Sequence, residues 1–157
     1  DDIIEDKPTI SENSIKKAEL IKIKTGYDCF ADDTGLEVDA LNGQPGVFSK
    51  RFAGLNASSD DNIDKLLEML GNNTNRAARF KTVISLSKNS EIITFEGICE
   101  GNIGYERMGD LGFGYDPVFI PKNQNISFGQ MSLSEKNLIA HRAKAINKLV
   151  DYLTNLY

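Results

Sequence analysis

The chain has 157 residues, 40% of them hydrophobic and 26% charged, which fits one globular domain and excludes a disordered tail or a fibrous repeat. Its 23 acidic and 18 basic residues give a formal charge of −5. Overall charge therefore does not draw it to nucleic acid or to anionic membranes, and a polyphosphate ligand would need a local basic cluster.

In chain order, Thr9 can cap a helix, with Glu12 three residues on to complete a capping box, and the helix is expected to run to about Lys24 and stop at Gly26. Tyr27 to Ala31 reads as a strand entering a loop, Asp32-Asp33-Thr34-Gly35, after which Leu36, Val38 and Ala40 alternate with Glu37 and Asp39 as a half-buried strand does. Asn42 to Gly46 is turn-rich. Ile63, Leu66, Leu67 and Leu70 recur at helical spacing before Gly71. Ala77 to Ser87 and Glu91 to Cys99 read as strands joined by a hairpin at Asn89-Ser90. A glycine-rich stretch from Gly101 to Gly114 precedes a short strand, Val118-Phe119-Ile120, closed by Pro121. The last third is helical, with Ile139, Ala143, Ile146, Leu149 and Leu153 on one side. Helices alternating with strands, plus one hairpin, predict an α/β domain with a mixed sheet.

Some chemistry is excluded at once. The single histidine, His141, rules out HExxH zinc chemistry and any multi-histidine metal site. Cys29 and Cys99 lack CxxC spacing and read as buried thiols in a reducing cytosol rather than a disulfide. No apolar run approaches the ~18 residues of a membrane span, so a soluble, cytoplasmic protein is expected. Asp60-Asp61-Asn62-Ile63-Asp64 begins like a calcium loop, but Lys65 replaces the needed glycine and Gly71 the closing glutamate; it reads as an acidic helix start.

Three segments could carry chemistry. In Asp32-Asp33-Thr34-Gly35 two carboxylates sit where a strand ends. Hard cations such as Mg²⁺ take one or two carboxylates plus phosphate oxygens and water. Neighbouring side chains of extended backbone face opposite ways, so the two aspartates should do different jobs, one on a cation or water and one bracing the loop; a solvated turn is the plainer alternative. In Gly109-Asp110-Leu111-Gly112-Phe113-Gly114-Tyr115-Asp116-Pro117, glycines flank an aromatic that a flat ligand could approach, and Tyr115 and Asp116 could bond to a base edge. An ordinary glycine-rich loop with an aromatic plug is the other reading. The third segment is Ser134-Glu135-Lys136-Asn137 with Ala140-His141-Arg142. Lys136 and Arg142 are cations near helix starts, and the arginine beside His141 favours a neutral imidazole, against a plain solvated helix.

Together these segments resemble the inosine triphosphate pyrophosphatase family. The match runs in order through Glu12-Asn13 with Lys17, FADDTGLEVDALNGQPGVFSKRFAG, Asn62 with Leu66-Leu67, RAARFKT, GFGYDPVFIP, SEKN and HRAKAI. The resemblance implies a single nucleotide triphosphate pyrophosphatase domain over 1–157, an α/β fold with a mixed twisted sheet and flanking helices, in two lobes around a central cleft, and a homodimer. It further implies Mg²⁺-dependent hydrolysis of ITP, dITP or XTP to the monophosphate and pyrophosphate, cleansing the nucleotide pool. By motif position Asp33 would be the general base or water-orienting carboxylate and a metal contact, with Glu5 as the second acidic contact. Thr34 would touch substrate and Phe113 would stack on the purine, with Gly114, Tyr115 and Asp116 shaping its pocket. Lys136, His141 and Arg142 would close over base and phosphates, joined by Lys17 and Arg51 as further cations. Two departures follow. The family's Ser/Thr-x-Asn-x-x-Lys phosphate loop has no counterpart in 1–157, so an N-terminally incomplete domain is expected, and a non-catalytic nucleotide-binding remnant is the alternative function. Ala140 also stands where a hydroxyl commonly caps the last helix, a loss of ~0.5–2 kcal/mol.

Overall fold

Residues 4–156 are described in a computed structural model. The alternating segments build one five-stranded sheet in the order β2-β1-β3-β4-β5, with β1 at Cys29–Val38, β2 at Pro45–Gly46, β3 at Ala77–Lys88, β4 at Glu91–Ile103 and β5 at Phe119–Pro121. Helices α1 (Ile10–Thr25), α2 (Ser59–Leu70), α3 (Leu133–Asn137) and α4 (His141–Leu156) flank it. The α/β fold with flanking helices stands as predicted, but every strand pairing among the described residues is antiparallel, not mixed. Parallel neighbours need a crossover over one face. Here α2, between β2 and β3 in the chain, packs on the 3₁₀ segments Asp39–Leu41 and Ser49–Arg51 instead.

Local chemistry sets the helix ends. The Thr9 hydroxyl accepts the Glu12 N–H at 3.1 Å, and Gly26 closes α1 at φ 73°; the return bond that would complete a capping box is not made at this end. Ser58 and Asp61 do make the full reciprocal box at α2, so the calcium-like run is a helix start. The hairpin forms at Asn89-Ser90, where Lys88 pairs with Glu91.

Strand alternation assigns the two faces of the sheet. On one, Asp32, Thr34 and Leu36 stand beside Ile84, Thr82 and Phe80; on the other, Asp33 and Gly35 stand beside Val83 and Lys81. Helix α1 covers the second face, where buried Ser14 Oγ lies 2.9 Å from the Val83 carbonyl oxygen and 2.7 Å from Ser85 Oγ. Helix α4 covers the first. Its buried residues are His141, Ala145 and Leu149, spaced by four, with Ala145 and Leu149 packed on Ile84 and Leu86. The expected stripe through Ala143 and Ile146 is rotated off the sheet, and Ile146 is exposed. The reason is Gly97 on β4: any Cβ there would strike the His141 carbonyl and the Ala145 amide, so α4 can settle its backbone on the strand at that register.

The outer edge of β4 is paired with β5 only at Gly101–Ile103. Upstream, the Glu100 carbonyl accepts the Lys122 N–H at 2.9 Å, and Lys144 and Lys148 donate to the carbonyls of Ile98 and Glu96 at 2.8 and 2.6 Å. Four helical residues rise about 6 Å and two strand residues about 6.7 Å, so lysines one turn apart meet alternate carbonyls. The larger core gathers Leu36, Val38, Phe80, Phe119 and Phe128 with Ile63, Leu66 and Leu70 of α2. Both cysteines are free; Cys99 is buried and Cys29 only half-buried. No helix among the described residues is long and apolar enough to cross a membrane.

Candidate active site

Strand β1 runs unbroken through Asp32-Asp33-Thr34-Gly35, each residue paired to β3, where a loop was expected. Gly35 makes no turn. A Cβ on it would lie 2.5 Å from the Gly46 carbonyl oxygen and 2.8 Å from Ile10 Cδ1, so the glycine admits β2 and α1 against the strand. Extended backbone separates the two carboxylates as anticipated. Asp32 turns to the α4 face and pairs with Arg142 Nη1, while Asp33 turns to the α1 face and meets Lys17 Nζ at 3.1 Å.

Lys17 also lies 2.5 Å from Glu5 Oε1, so one ammonium holds two carboxylates at a common point. Burial opposes the Lys17 charge, but Glu5 and Asp33 outweigh it and raise its pKa. The Asp33 pKa is also raised, by burial first, with the neighbouring charges of Glu5 and Asp32 adding to it against the opposing pull of Lys17. Glu5, Lys17, Asp32 and Asp33 line a small cavity of about 80 Å³ together with Thr34, Val47, Lys50 and Arg142.

A second cavity of about 280 Å³ opens beside it, and Thr34, Lys50 and Arg142 line both. Its walls include Leu36, Phe80, Phe113, Gly114, Lys136 and His141. Phe113 is 71% exposed at the rim, and Lys136 Nζ sits 4.6 Å from its ring centroid. Lys136 is itself buried and donates to Asp116 Oδ2 at 2.6 Å. That same oxygen accepts the Phe113 N–H at 3.1 Å, and the Tyr115 hydroxyl donates to the Ser49 carbonyl at 2.6 Å. Tyr115 and Asp116 thus brace the aromatic loop, and the reading in which their polar atoms meet a base edge gives way to one in which they shape the pocket. The cause is burial, 5% and 2% exposed, which demands internal partners for both.

His141 starts α4 with 5% of its surface exposed, its ring stacked 4.6 Å from that of Phe80. Burial, then the cations Lys136, Arg142 and Lys144, push its pKa down to about 3, so the imidazole is neutral as expected. Its Nδ1 has no hydrogen-bond partner among the described residues. Arg142 donates to Thr34 Oγ1 at 3.0 Å, and that oxygen is 2.8 Å from Thr82 Oγ1.

Every candidate from the sequence except Arg51 lines one cavity or the other. Arg51 instead donates to the Glu5 carbonyl at 3.1 Å and lies over the Phe48 ring. Sequence reasoning missed Ser49, whose Oγ donates to the Gly46 carbonyl at 2.6 Å and accepts the Leu36 N–H at 2.9 Å. It named Asn62 only as part of the family match and gave it no role; the side chain bonds the Lys50 carbonyl and the Ala53 amide. Only the polar asparagine on an apolar helical stripe could have signalled the second.

The Ham1 family model matches residues 1–152. The chain is 52% identical over 154 residues to a protein from Flavobacterium johnsoniae named dITP/XTP pyrophosphatase, covering 98% of this chain and 80% of that one. It is 53% identical over 155 residues to the protein of that name from Flavobacterium psychrophilum, covering 99% and 82%. Among solved structures, the Staphylococcus aureus Ham1 protein superposes with a TM-score of 0.96 at 43% identity, covering 99% of this chain and 82% of that one. A HAM1 protein from Coxiella burnetii does so at 0.95 and 40%, covering 99% and 81%.

Proposed function

The chain belongs to the Ham1 family, and from that premise we propose that it hydrolyses dITP, ITP and XTP to the monophosphate and pyrophosphate, clearing deaminated purine nucleotides from the cytoplasmic pool. The observation that carries this reading is the division of the cleft: a largely apolar, aromatic-rimmed cavity at one end and paired carboxylates with an ammonium at the other, joined through Thr34, Lys50 and Arg142.

The purine lies on Phe113, held by the loop that Tyr115, Asp116 and Lys136 brace. Selectivity falls to His141. Its buried Nδ1 needs a partner, and as an N–H it would find one in a purine 6-oxygen but not in an adenine amino group, a mismatch that discriminates strongly. The triphosphate runs past Thr34 and Arg142 toward Asp33. There the bond between the α- and β-phosphates breaks, water supplies the oxygen, Asp33 takes the proton, and pyrophosphate leaves.

Asp33 and Glu5 are the residues that would hold Mg²⁺. Two hard carboxylates converge on a point that an ammonium already neutralises, and among the described residues no group of three or more His, Cys, Asp and Glu could hold a metal. That donor set suits a cation that completes its shell with substrate oxygens and water. When bound, Mg²⁺ would neutralise charge on the phosphate oxygens. A homodimer belongs to the same reading, and equilibrium sedimentation tests it.

The deciding assay incubates the protein with ITP, XTP, ATP or GTP and Mg²⁺ and separates the products. IMP and pyrophosphate from ITP, with ATP nearly untouched, are expected; IDP with orthophosphate, or equal use of ATP, refutes the proposal. Asp33→Asn should fold normally and lose about 10²–10⁴ in turnover.

A further inference from the structure

One hydroxyl pair beneath the cleft has a proton count that a single arrangement satisfies. Thr34 and Thr82 are direct partners across β1 and β3, on the sheet face that α4 covers, and their Oγ1 atoms lie 2.8 Å apart. Thr82 is 0% exposed, and its Oγ1 has no other hydrogen-bond partner among the described residues. Thr34 is half-buried and lines both cavities. Its Oγ1 also accepts from Arg142 Nη2 at 3.0 Å, and Arg142 is in turn paired with Asp32.

Each hydroxyl carries one proton and two acceptor sites, and only one proton fits between the two oxygens. If Thr34 donated it, the Thr82 proton would be stranded without an acceptor where water does not reach, which is costly. If Thr82 donates, its own proton is used and both acceptor sites of Thr34 are filled, one by Thr82 and one by Arg142. The Thr34 proton is then left to face the cleft. Towards a ligand Thr34 is a donor only, which suits an ionised phosphate oxygen, an acceptor with no proton to give.

We propose that Thr82 is a positioning residue: from the core behind the cleft, its hydroxyl fixes Thr34 as a proton donor aimed at the phosphate chain of the substrate. The identity of that substrate rests on the pyrophosphatase reading; the order of the two hydroxyls does not.

Two measurements test this. The first is a melting cycle over Thr34→Val, Thr82→Val and the double variant, which keep the side-chain shapes. Thr34→Val orphans the buried Thr82 hydroxyl and should lower Tm by about 2–10 °C. Thr82→Val leaves Thr34 to cleft water and should melt close to the unaltered protein, and adding it to Thr34→Val should restore most of that variant's loss. The second is ITP kinetics in Mg²⁺, with calorimetric titration of inorganic tripolyphosphate. Thr82→Val should lower kcat/KM and tripolyphosphate affinity about fivefold, the worth of one oriented neutral hydrogen bond. Thr82→Ser, which keeps the hydroxyl, should recover both, and Thr82→Val should change neither in the Thr34→Val background. An unchanged Tm in Thr34→Val, or a double variant no more stable than Thr34→Val, overturns the proposal. So do unchanged kinetics and titration in Thr82→Val, or a loss that persists in Thr82→Ser or in the Thr34→Val background, as a packing role would give. If the unaltered protein binds tripolyphosphate but leaves ITP intact, the pyrophosphatase reading alone fails, and the melting cycle with the titration decides the role of Thr82. If it does neither, the proposal falls as well.

Discussion

The pair formed by Lys136 and Asp116 should hold the aromatic loop more strongly than any surface pair holds its surroundings. The side chains are 10% and 3% exposed and meet at 2.6 Å, so neither charge can fall back on water if its partner is removed. Lys136→Met keeps the stem volume beside Phe113 and Phe128, but leaves the Asp116 carboxylate with only the Phe113 N–H on Oδ2. Breaking a buried pair from one side costs about 3–5 kcal/mol. In a domain of this size each kcal/mol lowers Tm by about 2–4 °C, so a fall of roughly 6–20 °C is expected. The measurement is a double-mutant cycle by urea denaturation, with Asp116→Asn and the combined variant. Because the combined variant carries no uncompensated charge, it should be more stable than the sum of the single losses predicts. A Lys136→Met loss within about 1 kcal/mol of zero, or strict additivity across the cycle, would refute the reasoning: surface-like ion pairs behave that way.

Three further outcomes are expected. The His141 pKa lies near 3 in the folded chain and near 6.5 unfolded, so only the unfolded chain gains this proton between those values. Stability from this group is therefore complete above about pH 6.5 and declines on acidification toward 3, by at most about 1.4 kcal/mol per pH unit; His141→Gln should flatten that decline between pH 6.5 and 5 in denaturant titrations. Gly97→Ala should push α4 off β4 and destabilise by about 1–3 kcal/mol, with a matching loss of ITP affinity because α4 carries His141 and Arg142; a neutral melt would show that the contact yields easily. Replacing both Lys144 and Lys148 by alanine should uncover strand carbonyls that can template another chain, read as concentration-dependent association in light scattering that the unaltered protein lacks.

How much was legible in the residues varied with the range of the interaction. The Thr9 N-cap and Gly26 stop of α1, the end of α2 at Gly71, the hairpin at Asn89-Ser90 and the acidic start of α2 follow from contacts within a few residues, and the sequence pattern placed them correctly, though it also expected a full capping box at α1 and gave no sign of the one at Ser58. Gly35 shows the opposite case. Glycine after two aspartates looks like a turn, yet the chain stays extended there because Gly46 and Ile10 press against the strand, and neither neighbour is visible locally. The stripe on α4 was misread in part for the same reason: Leu149 and Leu153 pack as expected, but Gly97, far upstream, brings His141 and Ala145 onto the sheet in place of Ala143 and Ile146.

Residue order by itself determined the family likeness and the separation of Asp32 from Asp33 onto opposite faces, since motif order and strand period are written along the chain; it gave only the Arg142 part of the case for a neutral His141, whose main cause is burial. Only the tertiary structure decided which cations are already held. Arg51 and Lys50 are adjacent and equally basic in the sequence, but one is fastened to the Glu5 segment and the other has no side-chain partner among the described residues and lies at the junction of the cavities. A side chain's availability depends on its partners, and in this cleft those partners come from parts of the chain tens of residues away.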